Sequence, residues 1–391
     1  MSPRGSFAPV LALAALVAAS ALAGCTTDVS THGGWGTQGW VMTWLTSSDD
    51  VHVMAAGPSG LFFAGPQGIL SCPRPGCADP PELAYPVGVA PGTGAGAIAR
   101  LVADDTRLYW TEIVQGSTPG GRVLTCEQSD CLGSVRVIYA DLGVILNPGG
   151  ADDFGFLAVD GGEVFWTASV VTSSGGLASL VYAISADTPP GSNTPAESSK
   201  IPPTFAPLFV SGGTLYGTLD TSLGTALASC PLRPFLNGCS TQIVLVDETK
   251  YQVLWANEFG GTVYFEAVVP ATGARGVYAC SPTCDAPVLV YPSTWSFFAV
   301  DADRPYTGMI LPDGRGAFAT CSAGSTCAAG LTPLDLPFEQ MAFPATPGFP
   351  GVPDVVLDPR GGAYGYGLYL PPQDNVGLGT PLFAIVHLST P

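Results

Sequence analysis

The sequence predicts an all-β protein, a β-propeller of seven four-stranded blades, from three observations. First, an apolar triplet, a small polar residue, a turn and an aromatic pair recur seven times along the chain. Second, most of the 11 cysteines form close pairs that follow this pattern at a similar spacing. Third, no sustained i, i+3, i+4, i+7 apolar spacing follows the N-terminal apolar stretch, so helix should be nearly absent.

The repeat has a period of about fifty residues, which is typical of repeat architectures. One aromatic residue marks each copy: Phe62, Tyr109, Phe165, Tyr216, Tyr264, Tyr306 and Tyr364. Within a copy, the apolar triplet predicts strand A and the aromatic pair strand B. Strand C runs into the first cysteine of a pair, and strand D follows the second. Four-stranded units of this length indicate propeller blades. Six blades are the alternative, with residues 40–65 as an added strand pair.

The two ends of the chain should complete one blade together. The last copy has strands A (354–358), B (363–370) and C (382–389), but no chain is left for a strand D. The run 40–45, Trp-Val-Met-Thr-Trp-Leu, precedes the first strand A and has no copy of its own. We expect it to pair beside 382–389 and so remove an exposed edge.

The N-terminal residues 1–24 predict an export signal. Arg4 precedes an apolar stretch, 7–21, that is rich in Ala, Leu and Val and ends at small residues. The sequence Leu22-Ala23-Gly24-Cys25 resembles the lipobox of bacterial lipoproteins. That resemblance implies that the chain is cut before Cys25 and that the Cys25 thiol takes a diacylglyceryl group, with palmitate among its acyl chains. The lipid would anchor the protein in a membrane. The alternative is an ordinary secretory signal with a chance cysteine.

The residues after the cysteine suggest a location and a domain layout. Thr26, rather than Asp, follows Cys25, and by the sorting pattern of enterobacterial lipoproteins this implies the outer membrane, on its periplasmic or surface face. Residues 25–39 are rich in Thr, Ser and Gly, which predicts a flexible tether. The propeller should then span 40–391.

A second resemblance concerns the repeat itself. The sequence Tyr109-Trp110-Thr111-Glu112 resembles the YWTD repeat of propellers in receptor ectodomains, with Glu in place of the final Asp. Residues 165–167, Phe-Trp-Thr, are a weaker echo. The resemblance implies a propeller architecture, although the propellers of that family have six blades. Trp110 and Trp166 should pack between blades.

The paired cysteines predict local disulfides, because an exported chain reaches an oxidising compartment. The predicted disulfides are Cys72–Cys77, Cys126–Cys131, Cys230–Cys239, Cys280–Cys284 and Cys321–Cys327. The alternative is zinc, which needs four converging ligands, whereas each copy offers two cysteines and the chain has 3 histidines. We therefore expect no metal and no cofactor. The third copy, with 180–183 as strand C, should fold without a disulfide.

The composition excludes some partners. Charged residues make up 11% of the chain, and the formal net charge is −18. The lysines are Lys200 and Lys250 alone, so no basic patch is available for phosphates. We therefore expect neither nucleic acid nor an anionic membrane surface as a partner. No segment after the signal has the apolar length of a transmembrane helix.

Polar residues recur at the predicted A–B turns: Asp104, Asp160, Ser211, Asn257, Asp301 and Asp358. Equivalent positions in a propeller would form a ring on one face. Such residues usually bond the backbone of their own turn, and the alternative is a cation or sugar site. A candidate binding surface is the long loop 333–353, which contains Phe338, Met341, Phe343 and Phe349. The alternative for this loop is packing over the channel mouth.

No catalytic constellation is recognisable in the sequence. We therefore expect a monomeric, non-enzymatic protein that binds an envelope protein or glycan through its loop-rich face. One alternative is a propeller enzyme that acts on envelope glycans through a pair of carboxylates. The other is a scaffold in outer-membrane assembly.

Overall fold

The computed structural model describes part of the chain. The described residues are 40–45, 53–65, 67–73, 82–88, 96–114, 120–141, 156–171, 177–189, 197–232, 239, 242–292, 298–301, 304–310, 316–321, 327, 331–333, 341–342, 355–357, 363–369 and 382–388. Contacts divide the chain into Met1–Gly36 and Thr37–Pro391, and all described residues belong to the second unit. The predicted signal, Cys25 and the whole tether lie outside them.

Five antiparallel sheets have four strands each, in chain order. Sheet 1 contains β2 (Val53–Gly57), β3 (Gly60–Gly65), β4 (Gly68–Pro73) and β5 (Glu82–Pro86). Sheet 2 contains β6 (Gly96–Ala103), β7 (Arg107–Val114), β8 (Gly120–Glu127) and β9 (Arg136–Asp141). Sheet 3 contains β10 (Leu157–Asp160), β11 (Glu163–Val171), β12 (Leu177–Ser185) and β13 (Glu197–Lys200). Sheet 4 contains β14 (Phe205–Ser211), β15 (Thr214–Thr221), β16 (Gly224–Pro231) and β17 (Ile243–Val246). Sheet 5 contains β18 (Gln252–Phe259), β19 (Thr262–Val269), β20 (Ala274–Cys280) and β21 (Val288–Pro292).

A sixth, nine-stranded sheet contains both ends of the described chain. Its strands are β1 (Trp40–Leu45), β22 (Phe298–Asp301), β23 (Arg304–Ile310), β24 (Gly316–Thr320), β25 (Thr332–Pro333), β26 (Met341–Ala342), β27 (Val355–Leu357), β28 (Ala363–Tyr369) and β29 (Leu382–Leu388). β1 pairs antiparallel with β29, from Trp40 beside Leu388 to Leu45 beside Phe383. The predicted pairing of the two chain ends is therefore confirmed.

The six sheets differ in number from the predicted seven blades. The prediction of seven separate blades is thus not confirmed. The number of sheets agrees with the alternative of six blades. The added strand pair 40–65 of that alternative is wrong, because β2 and β3 are the first two strands of sheet 1 and β1 belongs to the nine-stranded sheet.

The first strands of successive units contact one another in a closed circuit. β2 contacts β6, and the circuit continues through β10, β14, β18, β22 and β27 back to β2. Consecutive four-stranded antiparallel sheets whose first strands surround a common centre form a β-propeller. Strand D of each four-stranded sheet therefore lies at the outer rim.

The core lies between neighbouring sheets because the second strand of a sheet is buried on both faces, as the consecutive buried residues of β3 and β19 show. In β7, Leu108 and Trp110 pack in a cluster with residues of sheet 1, whereas Tyr109 packs in a cluster with sheet 3. Successive strand residues point to opposite faces, so a blade buried on both faces needs a nearly continuous apolar run. This explains the aromatic pairs of the repeat, and Trp166 lies between sheets 2 and 3 in the same way.

Glycine pairs close the first hairpin of three consecutive sheets. Gly161–Gly162, Gly212–Gly213 and Gly260–Gly261 all have positive φ. A two-residue hairpin of this type needs positive φ at both positions, which glycine adopts without a steric penalty. These turns place the end of strand A and the start of strand B on one face of the propeller, which we call the turn face. The links from B to C and from D to the next A lie on the opposite, loop face.

Disulfides join strand C to the segment before strand D. The bonds Cys126–Cys131, Cys230–Cys239, Cys280–Cys284 and Cys321–Cys327 are present. Cys72 is also disulfide-bonded, and its predicted partner Cys77 lies outside the described residues. A bond that closes a short loop of about six residues contributes on the order of 2 kcal/mol in the chain-entropy model.

Helix is scarce in the described part of the chain. α1 (Cys131–Ser134) is one turn, and the Asp130 side chain accepts a hydrogen bond from the Gly133 amide at its start. Among the described residues, no helix has the length and apolar character needed to cross a bilayer.

Candidate functional site

The predicted binding loop is described at one point. Met341 lies in β26, whose backbone pairs with Gly316 of β24 and with Leu368 and Tyr369 of β28. Gly316 begins a strand C and Tyr369 ends a strand B, so β26 lies near the loop face, between two neighbouring units. Phe338, Phe343 and Phe349 lie outside the described residues.

Polar side chains of the A–B turns accept hydrogen bonds from backbone amides of turns, as such side chains usually do. Asp104 accepts hydrogen bonds from the amides of Thr106 (2.8 Å) and Arg107 (2.7 Å) and from the Tyr109 hydroxyl (2.7 Å). Burial raises the pKa of Asp104, but these hydrogen bonds outweigh burial and leave the pKa below its ordinary value. The carboxylate is therefore held as an acceptor within its own turn.

Two further turn residues accept backbone hydrogen bonds. Asp160 accepts one from the Gly213 amide at 2.9 Å, which links the turn of sheet 3 to that of sheet 4. Asn257 accepts one from the amide of Glu258. The side chain of Asp301 and all of Asp358 lie outside the described part. Within that part, no three His, Cys, Asp or Glu residues come together as they would around a metal ion.

The most buried carboxylate of sheet 2 is Glu112, which is 0% exposed. Its position on β7, near the loop face, directly opposes Arg122 of β8. The Arg122 Nη2 atom lies 3.0 Å from Glu112 Oε1, and the Tyr85 hydroxyl of sheet 1 donates to Oε2 at 3.2 Å. Burial raises the pKa of Glu112, and Arg122 and Tyr85 offset this only in part.

Sheet 5 contains a second fully buried carboxylate, Glu266 on β19. Arg275 Nε lies 2.7 Å from Glu266 Oε1, and the Arg275 side chain is 30% exposed. Glu266 packs toward the boundary with the nine-stranded sheet, beside Tyr264 and Tyr291, because it lies two residues from Tyr264 on the same strand. Burial also raises the pKa of Tyr291.

These two glutamates do not form a catalytic pair. Sheets 3 and 4 stand between sheet 2 and sheet 5 in the circuit of strands, whereas a glycosidase needs its two carboxyl groups within about 10 Å. Each carboxylate is inaccessible and has an arginine partner, so neither can exchange a proton with a substrate in this conformation. Each belongs to an internal ion pair between two adjacent strands of one sheet, β7 with β8 and β19 with β20.

Two arginines of sheet 2 bind the C–D link of sheet 3 at the turn face. Arg107 forms ion pairs with Glu127 (3.0 Å) and with Asp187 (2.7 Å). Arg136 donates to the carbonyl oxygens of Thr188 (2.7 Å) and Ala186 (2.8 Å). A chain with 13 basic residues thus uses several of them inside or between its sheets.

Sequence reasoning missed these ion pairs. A signal was present for Glu112, because a glutamate within an apolar strand B faces an arginine ten positions later across a hairpin. The hairpin register, with Glu112 beside Arg122, was needed to see it. No comparable signal marks Arg107 and Arg136, whose partners lie about 50 to 80 residues away.

Apolar side chains are exposed on the outer strands of sheets 4 and 5. Ile243 and Val244 of β17 are 55% and 47% exposed, and Val288 and Leu289 of β21 are 55% and 45% exposed. Each of these outer strands has a paired strand on one side among the described residues. The outer rim at these two sheets therefore offers apolar side chains and unpaired backbone groups together.

Comparison with known proteins supports the fold and no more. No protein-family model matches the sequence, and no curated protein matches it. The uncomplexed acylaminoacyl peptidase of Pyrococcus horikoshii is 10% identical, with a TM-score of 0.50 over 83% of this chain and 51% of that chain. TolB from Acinetobacter baumannii is 11% identical, with a TM-score of 0.40 over 67% of this chain and 57% of that chain. A nidogen/laminin complex gives 14% identity and a TM-score of 0.37, over 62% of this chain and 79% of that chain.

The chain spans about half the length of the peptidase and little more than half of TolB. At such identities the likeness to the peptidase shows a shared propeller architecture. A fold of this kind hosts many unrelated functions, so function has to be argued from the residues of this chain.

Proposed function

We propose that this protein is a lipid-anchored, monomeric propeller of the bacterial cell envelope that binds or holds a partner without catalysing a reaction. The observation that carries the non-enzymatic part is the use of the buried carboxylates. Glu112 and Glu266 are both 0% exposed and both paired with arginines. A carboxylate that is fully buried and paired with an arginine is a structural group rather than a general acid or base.

The N-terminal sequence and the disulfides support the envelope location. Leu22-Ala23-Gly24-Cys25 follows an apolar export signal, and an acylated Cys25 would anchor the propeller, in our proposal at the outer membrane. Disulfides persist in oxidising compartments outside the cytosol, and nine cysteines of the described chain are disulfide-bonded.

The lipid anchor is tested by replacing Cys25. Cys25→Ala should abolish incorporation of labelled palmitate and move the protein from the membrane fraction to the soluble periplasmic fraction. Thr26→Ala is the matched control and should keep the label. Palmitate incorporation that persists in Cys25→Ala would rule out this anchor.

The proposed binding surface is the 333–353 segment on the loop face. Its support is β26, a described part of this segment, which pairs with the start of β24 and the end of β28. In the proposal, Phe338, Met341, Phe343 and Phe349 of the segment supply the apolar contact area. The partner would be an envelope protein or glycan.

Affinity capture from solubilised envelope tests this surface. The wild type should retain a specific protein or glycan that is lost when 333–353 is replaced by Gly and Ser. The matched control replaces 190–196, another segment between strands, in the same way. A partner that both variants retain would contradict a role for 333–353.

Turnover of an envelope glycan by the pure protein, lost on removal of one carboxylate, would contradict the non-enzymatic proposal.

We further propose that the nine-stranded sheet comprises two blades, which gives seven in all. The run β22–β23–β24–β25 and the run β27–β28–β29–β1 are each four-stranded, and β26 links them. Seven first strands in the closed circuit support this division. An experimental structure with six first strands around the centre would overturn it.

A further inference from the structure

The outer strands can be compared at two equivalent positions, fixed by their pairing with strand C. The first position is opposite the strand C residue that precedes the first cysteine of the disulfide, or opposite Ala183 in sheet 3, where strand C has no cysteine. In sheets 1 to 5 this position is occupied by Glu82, Arg136, Glu197, Ile243 and Val288. The second position holds Leu83, Val137, Ser198, Val244 and Leu289. The first position is thus charged in sheets 1 to 3 and apolar in sheets 4 and 5.

The two positions point toward different neighbouring sheets. Directly opposed residues of an antiparallel pair share a face. Ile243 opposes Ser229, which lies two residues from Leu227, and Leu227 packs in the cluster between sheets 4 and 5. Ile243 therefore points toward sheet 5. Arg136, at the same position in sheet 2, reaches sheet 3 in this way.

Leu289 points in the opposite direction. It opposes Tyr278, which belongs to the cluster between sheets 4 and 5. Ile243 and Leu289 therefore line one groove at the rim, from its two sides. Among sheets 1 to 5, this is the one boundary at which both facing residues are apolar. The corresponding pairs are Glu82 with Val137, Arg136 with Ser198, and Glu197 with Val244.

The ends of this groove are acidic. Asp247 and Glu248 follow β17 at the loop face, and Asp285 precedes β21 at the turn face. Lys250 is the basic residue nearby, and its Nζ lies 3.3 Å from Asp247 Oδ2. These three carboxylates and one ammonium group give the ends of the groove a net negative charge. The chain as a whole has a net charge of −18, so a second copy would be repelled.

We propose that this groove binds an extended polypeptide segment that is apolar at every second residue and carries Lys or Arg at its ends. The segment adds to β17 as a fifth strand. Its backbone pairs with the outer edge of β17, and its alternate side chains contact Ile243 and Leu289. Its basic ends meet the carboxylates beyond β17 and before β21. Strand addition of this kind combines backbone hydrogen bonds with pockets for alternate side chains.

This inference concerns a surface on the rim and does not depend on the 333–353 segment. Failure of the loop-face proposal would leave it intact, and its own failure would leave the loop-face proposal intact. Replacement of 333–353 by Gly and Ser should accordingly leave peptide binding at the rim unchanged.

The direct test uses a synthetic peptide, Lys-Val-Thr-Val-Thr-Val-Thr-Lys, labelled for fluorescence anisotropy and titrated with the full-length protein. Ile243→Thr and Leu289→Thr should each weaken binding about tenfold, because each removes most of one apolar contact. Leu83→Thr is the matched control, since Leu83 is a 44% exposed apolar residue on the outer strand of sheet 1. Binding should be unchanged in that variant.

A second peptide with Glu in place of the terminal Lys residues tests the charge argument. It should bind about tenfold more weakly than the first at low salt, and added salt should reduce the difference. Hydrogen exchange should show protection of the amides of 243–246 by the first peptide. Coincident thermal melts of all variants establish that they fold.

Several outcomes would overturn the proposal. These are no binding of the first peptide, equal binding of the two peptides, or equal weakening by Leu83→Thr and Ile243→Thr. Concentration-dependent self-association in sedimentation that Ile243→Thr abolishes would instead assign the groove to a second copy, and would also overturn it.

Discussion

Asp104 and Glu112 lie at opposite ends of sheet 2, and their surroundings shift their pKa values in opposite directions. Burial is the largest influence on both and raises both pKa values. Asp104 lies in a tight turn that supplies two amides and two hydroxyls as donors. Glu112 lies between two sheets and depends mainly on Arg122 and Tyr85.

The difference shows what a turn provides that a sheet interface does not. The amides around Asp104 are fixed by the hairpin itself, and Thr106 is exposed. Arg122 is only 5% exposed, so its own desolvation reduces what it contributes to Glu112. The buried ion pair therefore joins two adjacent strands of sheet 2 at a cost in desolvation, whereas the turn carboxylate stabilises its hairpin directly.

The largest expected change in the free energy of unfolding comes from removing the arginine partner of Glu112. Arg122→Met should lower the free energy of unfolding by about 3–5 kcal/mol, because it leaves a buried carboxylate without its cation. Urea unfolding with the disulfides intact measures this. The double variant Arg122→Met with Glu112→Leu should recover most of the loss. A double variant as unstable as the single one would show that the pair itself is not the cause.

The next largest expected change in stability comes from removing the hydroxyl that donates to Asp104. Tyr109→Phe removes a 2.7 Å hydrogen bond to Asp104 and should cost about 1–3 kcal/mol, as hydrogen bonds to charged groups do. The same substitution in an Asp104→Ala background should cost less, since its partner is gone. Equal costs in the two backgrounds would show that the hydrogen bond to Asp104 is not the cause.

The two carboxylates should give pH dependences of opposite sign. The pKa of Glu112 is raised by folding, so its contribution to stability is present below the unfolded value of about 4.3. That contribution is lost as pH rises through the folded pKa. Unfolding free energies from pH 4 to 7 should therefore fall less steeply in Glu112→Gln than in the wild type.

For Asp104, hydrogen bonds lower the pKa. Its contribution is present above the unfolded value of about 3.9 and is lost as pH falls through the folded pKa. Asp104→Asn should accordingly reduce the loss of stability in acid. Parallel shifts of the two variants in the same direction would contradict the comparison.

The smallest effect concerns the turn carboxylate that bonds across two sheets. Asp160→Ala removes the acceptor of the Gly213 amide and should cost about 0.5–1.5 kcal/mol. Asp160→Asn keeps an acceptor oxygen and should cost less. Thermal unfolding of the two variants side by side makes the measurement.

The sequence predicted the strand repeat well because the aromatic pairs are themselves the packing between sheets. It also predicted the pairing of 40–45 with the last strand. The last copy lacks a fourth strand, the run 40–45 belongs to no copy, and pairing the two removes an exposed edge. It predicted seven blades where six sheets are present, because the short strand β26 joins two strand runs through one pair on β24 and two on β28. Two residues within a Pro-rich segment give no periodic signal.

The candidate site was predictable only in outline. The turn position of Asp104 follows from spacing and turn chemistry, and so does its bonding to its own backbone. The apolar groove between Ile243 and Leu289 required the strand registers of two sheets, since the run 243–246 resembles a buried strand by composition although its first two residues are exposed. A sequence shows that such residues are apolar but not whether another sheet covers them.

The pairing of β1 with β29 has a consequence for the order of folding. It joins Trp40 to Leu388, 388 − 40 = 348 positions later. Contacts so distant along the chain are slow to form, because a large loop must close first. β1, the first described strand, therefore has no partner until nearly the last described strand has been synthesised. Until then the ring of sheets cannot close at this edge.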